Sequence, residues 1–250
     1  MESDPSVFST PGELNAAREK AAAHPWAHDT LEGLLAHRPT KTTRGIPDDA
    51  WRWALAGAIA GRRDVMQRAA DALCAQRDLV AACGRSTLLI GWGLCPYMGA
   101  FELVRHLLPA HEQQRILSML QAAAAALWAN NRKDSNWQNT HNMVLLGYGL
   151  LTGEKTWVAR AVEDEQRGLL RHLRACIRRE GLWWEGTPGY HLNVLLHLQV
   201  TTELLRRAGQ DLYRDPELGP VIKSNYDVLL RAMTPDLTVF GKNDDGPFES

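Results

Sequence analysis

The sequence lacks the features that mark membrane or nucleic-acid proteins. No apolar run approaches the roughly 20 residues that a membrane span requires. The first residues, MESDPSVFSTPGE, contain neither a basic nor an apolar signal segment. Positive charge is not in excess either, since 28 Lys and Arg face 29 Asp and Glu. We therefore expect no nucleic-acid partner, no membrane association, and a cytoplasmic location unless a leader has been removed.

Cysteine is also scarce, and no two cysteines form a C-x-x-C pair. The histidines do not stand at the usual zinc-ligand spacing from these cysteines. The sequence thus predicts reduced, mostly buried thiols, no metal site and no cofactor. The cysteines are Cys74, Cys83, Cys95 and Cys176.

Alternating strand patterns are nearly absent, and apolar residues recur at helical spacing between short turns. Ser9 or Thr10 followed by Pro11 and Glu13 predicts the start of a first helix, which ends before Pro25. Gly209 is placed to end a later helix as its C′ residue. We predict loops at 38–47 and 131–137, breaks at 84–86 and 91–93, and one helix from about 155 to 179.

The helices pair at a spacing of about 45 residues without a sharp sequence repeat. This arrangement predicts an all-α fold of antiparallel helix hairpins, closed into an incomplete (α/α) toroid. The toroid domain is expected to span 1–235, including leader helices within 10–37. Residues 236–250 are expected to be a turn-rich linker.

Two stretches carry side chains suited to chemistry. The first, GLWWEGTPGYH at 181–191, joins two tryptophans, a carboxylate and a Tyr-His pair: Trp183, Trp184, Glu185, Tyr190 and His191. Nine tryptophans in the chain suit a cleft that stacks on sugar rings, although most should be core residues. Glu185 is expected to contact sugar hydroxyls or to cap the helix that opens at Thr187–Pro188.

The second stretch, 135–154, crowds amides and a histidine at a predicted helix start: Asn136, Trp137, Asn139, His141 and Asn142. Helix capping by Ser135 or Asn136 explains one of these residues but not all of them.

Taken together, the two stretches resemble motifs of the heparinase II/III and alginate lyase superfamily. Asn136, Trp137 and Asn142 match N-W-x-x-x-x-N. About fifty residues later, residues 181–191 resemble G-x-x-x-E-[GS]-x-x-Y-H, with one more residue between Gly186 and Tyr190. The opening VFSTPGELNAAREKAAAHPWA and the tail TVFGKNDDG are also similar to the family. The resemblance implies a polysaccharide lyase that cleaves a uronate polymer by β-elimination, on an (α/α) toroid.

The resemblance also implies roles for individual residues. Asn136, with Asn142 and His141, would neutralise the uronate carboxylate, so that the enolate is held by fixed donors. Tyr190 would be the acid and also the base, helped by a donor or cation from His191, His197 or His141. Tyr190, Asn193 and His197 share one helical face. The expected sugar contacts are Glu185, Trp183, Trp184, Trp137, Asn139 and His197.

Other functions fit part of the pattern. A uronate C5-epimerase would share the proton abstraction. An (α/α)-toroid glycoside hydrolase would need a second carboxylate beside Glu185, such as Asp244 or Asp245, although these two favour a turn. A non-catalytic sugar-binding helical domain is the last alternative. His191 could also be a polar residue on the outer helix face. Family members, often periplasmic or secreted, continue into a C-terminal β-sandwich that contributes a second catalytic histidine, so we expect that domain to be missing here.

Overall fold

A computed structural model of the chain describes residues 6–38, 48–82 and 87–233. Within these ranges the chain is helical, and it contains one isolated β-bridge, between Ile177 and Trp183, but no strand. The all-α prediction is therefore confirmed. No helix in these ranges is long and apolar enough to cross a membrane. The predicted break at 84–86, Cys83, the linker 236–250 with Asp244 and Asp245, and most of loop 38–47 lie outside the described residues.

Contacts divide the chain into two compact units. The N-terminal unit is Met1–Asn130 with Leu150–Glu154, and the C-terminal unit is Asn131–Gly149 with Lys155–Ser250. The described helices of the N-terminal unit are α1 Pro11–Ala23, α2 Pro25–Leu35, α3 Asp48–Ala60, α4 Arg63–Ala75, α5 Leu79–Ala82, α6 Thr87–Val104 and α7 Ala110–Ala129, with a 3-10 turn at Arg105–Leu107. The C-terminal unit contains most of α8 Asn136–Thr152, then α9 Lys155–Val162, α10 Leu169–Ala175, α11 Pro188–Arg207 and α12 Leu218–Ala232.

The start of α1 confirms the predicted cap. The Thr10 hydroxyl accepts the backbone N–H of Glu13 at 3.2 Å, and the Glu13 carboxylate accepts the backbone N–H of Thr10 at 2.9 Å. This reciprocal capping box satisfies two backbone donors that a helix start leaves open.

The predicted break at 91–93 is wrong, because α6 runs through it and through Pro96. Leu94, Tyr97 and Met98 on this helix are completely buried. Burial of these side chains outweighs the low helix propensity of glycine and the lost hydrogen bond of proline.

The predicted single helix from 155 to 179 is also wrong, because the chain turns between α9 and α10. The Asp164 carboxylate accepts the backbone N–H groups of Gln166 and Arg167 at 3.0 Å each, which closes a turn. Gly168 follows as the N-cap of α10. A Cβ on Gly168 would lie 2.7 Å from the Asp164 backbone, so the turn requires glycine here.

Candidate functional site at the start of α8

The two stretches singled out in the sequence lie against each other in the C-terminal unit. One Glu185 carboxylate oxygen, Oε2, accepts the backbone N–H of Asn136 at 3.3 Å and the indole N–H of Trp183 at 2.6 Å. The indole N–H of Trp184 donates to the backbone carbonyl of Asp134 at 2.6 Å. We call the resulting contact region, Asp134–Asn136 with Trp183–Glu185, the α8 corner.

Glu185 caps a different helix from the one expected. Its carboxylate lies at the first residue of α8, where a negative charge satisfies an open N–H and suits the helix dipole. At the start of α11, by contrast, Thr187 makes no side-chain capping bond and Pro188 occupies the first position. The predicted cap by Ser135 is also not formed, since its buried hydroxyl has no hydrogen-bond partner among the described residues.

The two adjacent tryptophans have opposite environments. Trp183 is completely buried, and its predicted contact with a sugar stays a prediction. Trp184 is 45% exposed, with its indole nitrogen fixed on the Asp134 carbonyl. Trp137 is half-buried, and the guanidinium carbon of Arg132 lies 4.7 Å from its ring centroid. Of the three tryptophans in the two stretches, Trp184 and Trp137 therefore remain within reach of a ligand.

His191 is buried and bonded on both sides of its ring. Its Nδ1 accepts the backbone N–H of Trp183 at 3.0 Å, and its Nε2 donates to the carbonyl of Asn225 at 3.0 Å. A carbonyl can only accept, so the proton sits on Nε2 and the ring is neutral. Burial lowers the pKa of His191 in agreement with this form. The outer-face alternative is wrong, and the ring anchors loop 181–187 to α12.

His197 is buried as well. Its ring lies 3.1 Å from the Thr140 hydroxyl, measured at Nδ1, and burial lowers its pKa to about 4. Its burial distinguishes it from the two half-buried residues of the same face, Tyr190 and Asn193, and its predicted sugar contact stays a prediction. Tyr190 lies in the first turn of α11, next to the anchored His191.

The amides and histidine after Asn136 lie in the interior. Asn142 accepts from the Gln138 amide at 2.9 Å and donates to the Arg167 carbonyl at 2.7 Å, so its side chain ties helices together. Asn139 and His141 are also buried. The side chains of Asn139, His141 and Asn142 therefore face the interior, and their predicted substrate contacts stay predictions. Asn136, at 8% exposure, lies at the edge of this interior.

Residues that the sequence argument missed lie beside this corner. His172 on α10 contacts the Asn139 amide oxygen through Nδ1 at 2.9 Å and the Lys133 carbonyl through Nε2 at 2.8 Å. Its ring also meets Trp183 edge to face, with 5.7 Å between centroids. Burial is the main cause that lowers the pKa of His172 to about 4.

Asp134, His172 and Cys176 form a cluster whose potential metal-binding atoms all lie within 4.8 Å of one another. The sequence analysis did not find this cluster, and its expectation of no metal site stays a prediction. The signal was present in RHLRAC, where His172 and Cys176 stand four residues apart and so share one helical face. Asp134 comes from a distant loop and could not be assigned by spacing. Burial and the Asp134 carboxylate raise the pKa of the Cys176 thiol to about 12.

Comparison with known proteins does not assign a family. No family model matches the sequence, and no curated protein matches it. The resemblance to the heparinase II/III and alginate lyase superfamily therefore stays a prediction.

Proposed function

We propose that this chain is a polysaccharide lyase that acts on a uronic-acid polymer by β-elimination. The observation that supports it best is the α8 corner itself. Glu185 and Trp184 connect loop 181–187 to the start of α8, across about fifty residues of sequence. An active site of this kind would need the two stretches side by side. The helical elements of the described residues also support the finer proposal of an incomplete (α/α) toroid.

The surface of the corner offers groups that suit an acidic sugar. The exposed ring of Trp184 can stack on the apolar face of a pyranose, since its indole nitrogen is already held by Asp134. The Arg132 guanidinium over Trp137 and the Arg178 guanidinium, which donates to the Trp184 carbonyl, bring positive charge to the same surface. A uronate carboxylate would be attracted to these cations.

The chemistry requires a group that removes the C5 proton and a group that protonates the leaving oxygen at C4. A proton beside a carboxylate is weakly acidic, so the carboxylate must be neutralised by donors or cations before the base can act. In our proposal Asn136 donates to the carboxylate and Tyr190 transfers the protons. His191, His197, Asn139 and Asn142 support these residues from the interior rather than contacting the sugar.

A non-catalytic sugar-binding domain is the second candidate, and a specific observation favours it. Three histidines were predicted to assist Tyr190, and all are buried: His141, His191 and His197. The rings of His191 and His197 contact other groups in the interior. An aromatic and cationic surface without a proton relay would still bind an acidic sugar.

The test is to incubate the chain with alginate, polygalacturonate, hyaluronan and heparan sulfate and to follow ultraviolet absorbance. A lyase produces an unsaturated sugar and raises the absorbance. An epimerase leaves the absorbance unchanged but exchanges deuterium from heavy water into C5. Saturable binding with neither change would support the binding domain, and no binding to any of these polymers would contradict both candidates.

The Trp184→Ala variant tests where the polymer binds. Loss of the ring removes a stacking surface, so we expect the affinity for the bound uronate oligosaccharide to fall about tenfold or more, since an aromatic contact of this size is worth roughly 1–2 kcal/mol. Isothermal titration calorimetry gives the affinity. Trp26→Ala is the matched control, because Trp26 is 64% exposed on α2 in the other unit and should not affect binding. Equal affinities for wild type and Trp184→Ala would place the site elsewhere.

A further inference from the structure

The loop before α8 and the end of α10 bring together three side chains that are strong metal ligands. Asp134 lies in the loop, His172 in the last turn of α10, and Cys176 is the residue that caps α10. His172 and Cys176 are buried, and Asp134 is half-buried. We propose that Asp134, His172 and Cys176 bind a thiophilic divalent transition-metal ion, with Zn²⁺ the best fit. This inference does not depend on the proposed lyase activity.

The distances suit tetrahedral zinc. Bonds of about 2.3 Å to sulfur and about 2.1 Å to oxygen, at tetrahedral angles, separate the two ligand atoms by about 3.6 Å. The Cys176 sulfur lies 3.6 Å from the Asp134 Oδ1. A mixed set of thiolate, imidazole and carboxylate excludes Mg²⁺ and Ca²⁺ as preferred ions, because those cations favour oxygen ligands alone. Three protein ligands leave one position for a water on the exposed side of Asp134.

The surroundings of His172 also suit a metal ligand. Nδ1 faces the Asn139 amide and Nε2 faces the Lys133 carbonyl, and since a carbonyl can only accept, the neutral ring donates from Nε2. An oxygen that fixes one ring nitrogen while the other binds the ion is the usual arrangement around metal-bound histidine. Nδ1 is then the ligand nitrogen, and the Asn139 amide must turn away from it when an ion binds.

A cationic group already lies at the cluster. The Arg171 guanidinium is 2.9 Å from the Asp134 Oδ1 and 3.7 Å from the Cys176 sulfur. It shows that the position attracts positive charge, and it must move when a metal ion binds. Arg171 and Asp134 are both partly exposed, with side-chain exposures of 29% and 40%, so their ion pair contributes little and can open toward solvent. Arg171 is therefore a competitor whose removal should tighten metal binding.

The experiment is a titration of the full, EDTA-treated chain with cobalt chloride and zinc chloride. We expect one Co²⁺ per chain, with visible bands of a tetrahedral site and an ultraviolet thiolate-to-cobalt band that Zn²⁺ abolishes. Cys176→Ser should remove the thiolate band and weaken zinc binding at least tenfold. Cys74→Ser is the matched control and should leave both unchanged, because Cys74 lies on α4 outside the cluster.

Two further variants keep the inference testable if Cys176→Ser does not fold, as checked by circular dichroism. Arg171→Gln and Asn139→Ala should each bind zinc more tightly than wild type, because each removes a group that competes with the ion for a ligand atom. A wild-type chain that shows no thiolate-to-cobalt band, a band that survives in folded Cys176→Ser, or an affinity unaffected by Arg171→Gln would overturn the proposal.

Discussion

At the scale of single residues, burial decides which of the predicted polar side chains can meet a ligand. The sequence correctly brought together Asn136 and Glu185, yet it could not show that Trp183 is interior while Trp184 is 45% exposed. Adjacent residues in an irregular loop follow no periodicity that separates inside from outside. The same limit applies to His191, whose two backbone partners come from the loop and from α12.

The buried histidines predict how stability depends on pH. Folding lowers the pKa of His172 and of His197 to about 4, below the usual value of about 6.5. Between these values the unfolded chain binds protons that the folded chain does not. Above pH 6.5 the two histidines should therefore not reduce the free energy of unfolding. As the pH drops toward 4, that free energy should fall by roughly 3 kcal/mol for each histidine.

Urea unfolding at pH 7 and pH 5, with EDTA present, measures this effect. His197→Gln should lose less stability between the two pH values than wild type does. His111→Gln is the control, since the His111 side chain is 78% exposed and should not alter the difference. An identical pH dependence in wild type and His197→Gln would contradict the assignment.

At the scale of elements, regular helices were predictable from the sequence, whereas some of the turns and breaks between them were not. The residues that cap a helix can be recognised from the local sequence, as at Thr10. Gly209 likewise follows the end of α11 with a φ of 91°, as expected for a C′ glycine. The turn between α9 and α10 was missed, because an aspartate within a helical pattern does not reveal that it closes a turn. The continuous α6 was missed because its burial depends on helices distant in sequence.

Among the residues that connect helices, we expect Gly181 to be the most sensitive to substitution. Its φ is 99°, and an added Cβ would lie 2.1 Å from the backbone oxygen of Ser224 on α12. Gly181→Ala should lower the free energy of unfolding by at least about 2 kcal/mol, through backbone strain and this clash. Gly209→Ala is the matched control, because it has a φ of 91° but no neighbour within 4 Å of the added Cβ.

Gly209→Ala should therefore show the strain alone and cost less than Gly181→Ala. Thermal or urea denaturation provides both values. Equal losses of stability in the two variants would show that α12 does not closely confine loop 181–187.

At the scale of the whole molecule, helical periodicity was enough to predict an all-α chain. The division into two units was not visible, since α8 is a single regular helix whose residues belong to both units. The α8 corner depends on pairs distant in sequence: Asn136 with Glu185, and Asp134 with Trp184. Shared motifs indicated the first pair. The Asp134, His172 and Cys176 cluster had only the His172–Cys176 spacing to indicate it.

The central claim is that Tyr190 transfers protons on a uronate bound at the α8 corner. Proton NMR of a uronate oligosaccharide with the chain tests it most directly. We predict that an olefinic signal of the unsaturated product appears with wild type, and that it appears at an equal rate with Tyr213→Phe, whose hydroxyl contacts Thr202 away from the corner. With Tyr190→Phe it should fall at least a hundredfold, as expected when a general acid or base is lost. Elimination at the wild-type rate by Tyr190→Phe would contradict the account.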